Sequence, residues 1–227
     1  MIAPPVQLPL DLGHRPALDR DAFLVTDSNA AAVGWIDRWP AWPMPALVLE
    51  GPPGAGKTHL ASVWRARADA GLIDGPALDA AAVPRLLEAG RPLVVEQADR
   101  AAEQPLLHLY NGSAERRLSL LLTADRASAR WGTALPDLAS RLKALPVVAI
   151  LPPDDPLIHA VLIKLFADRQ LMIAEDVVDF LTARMERSFE VARRLVAAID
   201  AAALAAHRRV TVPLARDVLR RLYPDEG

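Results

Sequence analysis

Gly51-Pro52-Pro53-Gly54-Ala55-Gly56-Lys57-Thr58 decides the reading of this sequence. The stretch satisfies G-x-x-x-x-G-K-[ST] at every fixed position. Ahead of it, Ala46-Leu47-Val48-Leu49 is apolar and partly β-branched, as a buried parallel strand should be. Behind it, Leu60, Ala61, Val63 and Trp64 recur at helical spacing. Strand, glycine loop and helix thus come in the order that a phosphate-binding loop requires. The glycines leave the backbone bare, so consecutive N–H groups can point at phosphate oxygens. The positive end of the following helix adds to that field. In this role Lys57 reaches the β- and γ-phosphates and the Thr58 hydroxyl ligates Mg2+. His59, the next residue, is counted with the nucleotide-binding stretch. A chance glycine-rich turn is the bland alternative, and eight matching positions with the correct flanks weigh against it. Binding is not turnover, and the motif by itself speaks only to binding.

The 227 residues allow one or two domains with a substantial core. Hydrophobic residues make up 52%, which suits a folded α/β protein. A formal net charge of −2 gives no sign of a strongly electrostatic nucleic-acid or membrane binder. The chain has no cysteine, which excludes disulfides and thiolate metal sites and fits a reducing cytoplasm. No signal peptide is expected, because Pro and Asp fall where its apolar segment would lie. No apolar run is long enough to span a bilayer.

Residues 1–22 read as an extended tail with Pro4, Pro5, Pro9 and Pro16. Inside it, Gln7-Leu8-Pro9-Leu10-Asp11-Leu12 alternates three leucines, which an extended chain points one way. An edge strand on the body and a linear peptide for an apolar pocket on a partner are both open readings. Ser28 or Asn29 caps a helix over about 30–39. Trp35, Trp39 and Trp42 are assigned to core and rim packing. After strand 46–49 and the loop, strands are expected near 72–73, 92–95, 118–122 and 147–151. Helices are expected to about 70 and near 79–89, 103–115 and 136–142. This alternation predicts an α/β domain over 23–152, with five parallel, doubly wound strands and ligands at their carboxyl ends. From Leu157, Ile158, Val161, Leu162, Leu165 and Phe166 onward the pattern is helical. Asp155 is the expected cap of that helix, with Pro156 in its first position. Further helices near 175–187, 188–206 and 212–222 make 153–227 an all-helical second domain, a lid over the nucleotide.

An ATPase of this layout needs an acid at the end of an apolar strand beside the loop, to hold Mg2+, and a second carboxylate to polarise water. Glu96 fits the first place. Gln97 occupies the second and cannot accept a proton, and Asp99 is the fallback acid. Thr123 and Asp125, at the end of the fourth strand, are placed to face the γ-phosphate. Arg141, in Leu135–Leu142, is placed to reach a neighbouring subunit's nucleotide, although an arginine on a short helix is more often a solvated face. His59, His108, His159 and His207 have no metal-ligand spacing.

Gly51–Thr58, the 92–97 strand, Leu109-Tyr110-Asn111, Leu121–Arg126, Leu135–Leu142 and Arg209–Pro213 together resemble the AAA+ module of the bacterial replication initiator DnaA. The length and Gln7–Leu12 narrow the resemblance to Hda-type regulators of DnaA, over nearly the whole chain. The resemblance implies an AAA+ P-loop fold with a helical lid, ADP or ATP with Mg2+ at Thr58 and Glu96, and a working state that holds ADP. It implies that Gln7, Leu8, Leu10 and Leu12 dock on the β sliding clamp, that Asp125 is the sensor on the fourth strand, and that Arg141 is an arginine finger presented to DnaA. DnaA's lid sensor arginine aligns near Glu190, with Arg187, Arg193 and Arg194 close by. No counterpart of DnaA's helix-turn-helix domain is expected, so no direct sequence-specific DNA binding is; a homo-oligomer is allowed. DnaA has two acids where this chain has Glu96-Gln97, so weak intrinsic hydrolysis is expected. The rival readings are an autonomous ATPase related to helicase loaders and an inert clamp adaptor with a structural nucleotide site.

Overall fold

The computed structural model describes residues 24–206 and 208–224. One parallel sheet holds β1 (Ala46–Glu50), β2 (Gly71–Asp74), β3 (Leu93–Glu96), β4 (Leu120–Ala124) and β5 (Val147–Ala149), in the spatial order β2-β3-β4-β1-β5. The strand that feeds the glycine loop is therefore interior, with β4 on one side and β5 on the other. Around the sheet lie α1 (Ala30–Arg38), α2 (Lys57–Ala68), α3 (Ala82–Glu88), α4 (Glu103–Glu115) and α5 (Pro136–Ala144).

Side chains alternate across a strand, and this alternation divides the core in two. Ala46, Val48, Leu93, Val95, Leu120 and Leu122 face one way and meet Leu87, Leu106, Leu109, Leu138 and Leu142 of α3, α4 and α5. Leu47, Leu49, Val94 and Leu121 face the other way, toward Leu60, Ala61 and Trp64 of α2 and Ile36 of α1. Burial on both faces is why the interior strands β1, β3 and β4 are continuous apolar runs, each buried leucine contributing about 1.5–3 kcal/mol. Trp42 stacks on the fully buried Trp64 at 5.3 Å, and Trp39 meets it edge-on at 5.9 Å. Asn29 stands at the start of α1, but its side chain does not cap the helix. It turns back, accepting from Thr26 N and donating to the Leu24 carbonyl.

The fourth strand differs from expectation by two residues. Leu118 N donates to the Ser113 carbonyl, and Arg117 has φ of 57°, so Leu118 still belongs to the turn that leaves α4. The strand instead runs on through Thr123 and Ala124, with Thr123 opposite Leu49 on the α2 face.

The remaining helices are α6 (Asp155–Ala167), α7 (Glu175–Thr182), α8 (Phe189–Ala206) and α9 (Val212–Leu222). They enclose a separate core that includes Leu162, Phe166, Val178, Leu181, Leu195, Ile199 and Val218. Asp154, not Asp155, caps α6: its Oδ1 accepts from Leu157 N at 3.0 Å, and Pro156 is the second helical residue. The one-residue shift leaves Asp155 to receive both arms of the Arg187 guanidinium, at 2.6 and 3.0 Å. The Arg187 hydrogen bond, foremost, holds the Asp155 carboxyl below its ordinary pKa. α7 stops at Thr182 rather than near 187: Arg184 N and Met185 N both donate to the Leu181 carbonyl, and Ser188 N to that of Glu186, so the chain turns out of the helix there. Among the described residues, no helix is long and apolar enough to cross a membrane.

Candidate functional site

β1 enters the loop at Gly51, where a Cβ would collide with the Ile150 carbonyl oxygen. Gly54 and Gly56 have φ of +76° and +102°, which glycine alone adopts readily. The loop opens directly into α2 at Lys57, which is 8% exposed. The Lys57 ammonium donates to the Gly51 and Pro52 carbonyls at 2.7 and 2.9 Å and pairs with Asp125 Oδ1 at 2.9 Å. Three acceptors suit its three N–H bonds. An arriving phosphate has to compete with them.

Glu96 ends β3 on the α2 face. Its Oε2 accepts from the Thr58 hydroxyl at 3.1 Å and from the Thr123 hydroxyl at 2.8 Å. The Thr123 oxygen itself accepts from Gln97 N at 3.1 Å. Thr58 and Glu96, the pair expected at Mg2+, are therefore in contact. A hydroxyl and one carboxylate fit that ion, which keeps several waters and takes phosphate oxygens as its other ligands. Bound there, it would supply positive charge against the phosphates. Asp99, the fallback acid, does not join this group. Its side chain is 1% exposed and accepts from Arg126 Nε at 3.2 Å. Gln97 adopts the left-handed conformation at φ 51°, and its Oε1 accepts from Arg100 Nη1 at 3.0 Å. Arg100 Nη2 also reaches Asp125 Oδ2 at 3.2 Å.

The lid closes on the loop through the start of α8. Phe189 N donates to the Gly54 carbonyl at 3.1 Å. A Cβ on Gly54 would collide with Ser188 Oγ, and one on Gly56 would stand 3.0 Å from the Phe189 ring. Ser188 Oγ also accepts from Glu190 N at 3.2 Å. Beside this contact, Pro52, Pro53 and Ala55 face Asp155, Arg184 and Arg187 across a cleft of about 800 Å3. Burial first, then the charges of Lys164 on α6 and Arg193 on α8, hold the His59 imidazole below its ordinary pKa. Of the three lid arginines near Glu190, Arg187 is committed to Asp155 and Arg194 lies 5.9 Å from the Tyr223 ring centroid. Arg193 is the one whose charge His59 feels.

Lys57, Thr58, Glu96, Thr123 and Asp125 thus come together. Arg141 lies elsewhere, exposed on α5, with its guanidinium 5.4 Å from the ring centroid of Tyr110 on α4. The face of the sheet that carries α4 and α5 is the one opposite α2. Gln7, Leu8, Leu10 and Leu12 lie outside the described residues. Sequence reasoning missed Arg100, Ser188 and Phe189. Arg100 stands four residues past Glu96, and Ser188 is a helix-capping residue type ahead of an apolar run; those were the available signals.

A five-stranded parallel sheet in this order, a phosphate loop leaving its interior strand, and a helical lid seated on that loop define a P-loop module of the AAA+ class. Domain III of the Thermotoga maritima replication initiation protein DnaA superposes with a TM-score of 0.78, covering 91% of this chain and 97% of its own, at 16% identity. The initiator DnaA bound to AMPPCP and single-stranded DNA gives 0.67, over 82% of this chain and 65% of that one, at 16% identity. The Thermotoga maritima RuvB Holliday junction branch migration motor gives 0.69, over 88% and 68%, also at 16%. At such identity these likenesses concern the fold. The lid is more specific: the family model described as Hda, lid domain, matches residues 156–219. The fold is thus that of DnaA-like AAA+ modules, and residues 156–219 are similar to the Hda lid domain.

Proposed function

We propose that this chain is a negative regulator of replication initiation, which stimulates ATP hydrolysis by DnaA while itself holding ADP and Mg2+ and docked on the DNA-loaded β sliding clamp. The observation that carries the reading is the Hda lid match over residues 156–219 on a DnaA-like fold. The loop around Lys57, with Thr58 and Glu96 in contact, supports nucleotide and Mg2+ as its ligands. Gln97 supports slow turnover: its amide offers no base and is hydrogen-bonded to Arg100. Arg141 is the residue assigned to DnaA's nucleotide. It is exposed and braced on Tyr110, and a guanidinium is planar, permanently charged and able to bond two phosphate oxygens. The tail Gln7–Leu12 is the segment assigned to the clamp, and the cytoplasm is the compartment.

The test is hydrolysis of DnaA-bound ATP in the presence of this protein, clamp and DNA, with each omitted in turn. Stimulation should require all three. An arginine finger is worth roughly 10³–10⁵ in rate, so Arg141→Ala should abolish stimulation while ADP binding and clamp docking persist. Arg141→Lys should rescue little. Near-normal stimulation by Arg141→Ala sinks the assignment of that residue. Stimulation that is indifferent to the clamp sinks the role of the tail.

A further inference from the structure

We propose that Arg100 is a positioning residue that holds Asp125 when Lys57 turns from it to a phosphate, and so sets how well the site accepts a triphosphate relative to a diphosphate. The inference rests on the reading of this site as one for a nucleotide. Asp125 is divided between two cations, with Oδ1 on Lys57 at 2.9 Å and Oδ2 on Arg100 at 3.2 Å. Arg100 uses its other terminal nitrogen for Gln97 Oε1 at 3.0 Å. A rigid planar fork is suited to bridging two acceptors at once, which a flexible ammonium is not. Gln97 has φ of 51° and ψ of 43°, so the chain doubles back between Glu96 and the short turn Ala98–Arg100. That turn sets Arg100 beside both acceptors.

The consequence is one of charge. Lys57 has one positive charge and already serves Gly51, Pro52 and Asp125. When it turns to a phosphate, Arg100 is the remaining cation on Asp125. The phosphate that displaces Asp125 from the ammonium comes to stand near that carboxylate, and the phosphate that Asp125 is read as facing is the γ-phosphate. A carboxylate left without its cation repels that third phosphate and does much less to a diphosphate, which ends one group earlier. Arg100 is 55% exposed at its side chain, so solvent screening keeps the effect moderate.

The experiment is a fluorescence titration of the full chain with ADP and with a non-hydrolysable ATP analogue, each with Mg2+. Arg100→Ala should raise Kd for the triphosphate about tenfold and that for ADP less than about threefold. Arg100→Lys should recover part of the difference, because it restores charge without the fork. In an Asp125→Asn background, Arg100→Ala should change the ratio of the two constants by less than about twofold, since the carboxylate it serves is gone. Should the alanine variant lose its far-UV circular dichroism, Arg100→Gln carries the same expectation. An unchanged Kd ratio in Arg100→Ala, or an undiminished effect in the Asp125→Asn background, overturns the proposal. Failure of the unaltered protein to bind either nucleotide overturns the site reading itself, and this proposal with it.

Discussion

Lys57 shows how much of the site is already occupied by the protein's own groups. Its ammonium is turned inward onto two loop carbonyls and Asp125, so nucleotide binding is an exchange of oxygens rather than the filling of a void. ADP at a hundredfold over its Kd should still stabilise the fold by about 2.7 kcal/mol. A thermal-shift comparison of the unaltered protein with Lys57→Ala checks this, and the shift should vanish in the variant. His59 carries a pH signature. Its folded pKa lies below the unfolded value, through burial and then the charges of Lys164 and Arg193. The unfolded chain therefore takes up the proton first, near pH 6.5. Stability from this residue is complete above that pH and is lost as pH falls through the lower folded value. Urea melts at pH 7.5 and pH 5.5 should show a decline that His59→Gln reduces.

At the scale of elements, what was legible in the sequence was whatever repeats or is locally complete. The loop and its flanking strand and helix could be read because eight adjacent residues fix one geometry. The sheet could be read because burial on both faces makes the apolar runs of its interior strands, β1, β3 and β4, continuous. Boundaries set by a distant partner were not legible. Leu118 has the composition of a strand residue, yet its N–H goes to Ser113. Asp154 and Asp155 are chemically equal, and only the position of Arg187 separates the cap from the ion pair. The seating of Ser188 and Phe189 on the loop joins positions more than 130 residues apart in sequence, so no local pattern encodes it. Glu96 was legible as a strand-end acid. Its hydrogen bond from Thr123 was not, because Thr123 stands past the apolar run that marks its strand. The two aspartates make a test at this scale. Asp154→Ala should cost about 1 kcal/mol through the lost cap, or about 2–4 °C in Tm for a chain of this size. Asp155→Ala, whose ion pair stands in water, should cost less. Equal losses in chemical denaturation would contradict the cap assignment.

For the whole molecule, the two cores meet where Gly54 accepts from Phe189 N, so the loop is covered by the lid as well as supported by the sheet. Ligand in the loop should therefore raise the stability of both halves together. The tail lies outside the described residues. Deleting residues 1–12 should abolish clamp binding in surface-plasmon measurements, since losing Leu10 and Leu12 forfeits roughly 1.5–3 kcal/mol each. Nucleotide affinity should stay as it was, and clamp binding that survives the deletion would return the tail to an edge strand. The position of Arg141 has a consequence of a different kind. A guanidinium exposed to water above a tyrosine ring, on the face of the sheet turned away from α2, contributes little that folding or nucleotide retention would miss. A natural variant that lost it would express, purify and melt like its parent. Surveys of protein abundance would pass it as healthy, and on the function proposed above the loss would register only in the hydrolysis of DnaA-bound ATP.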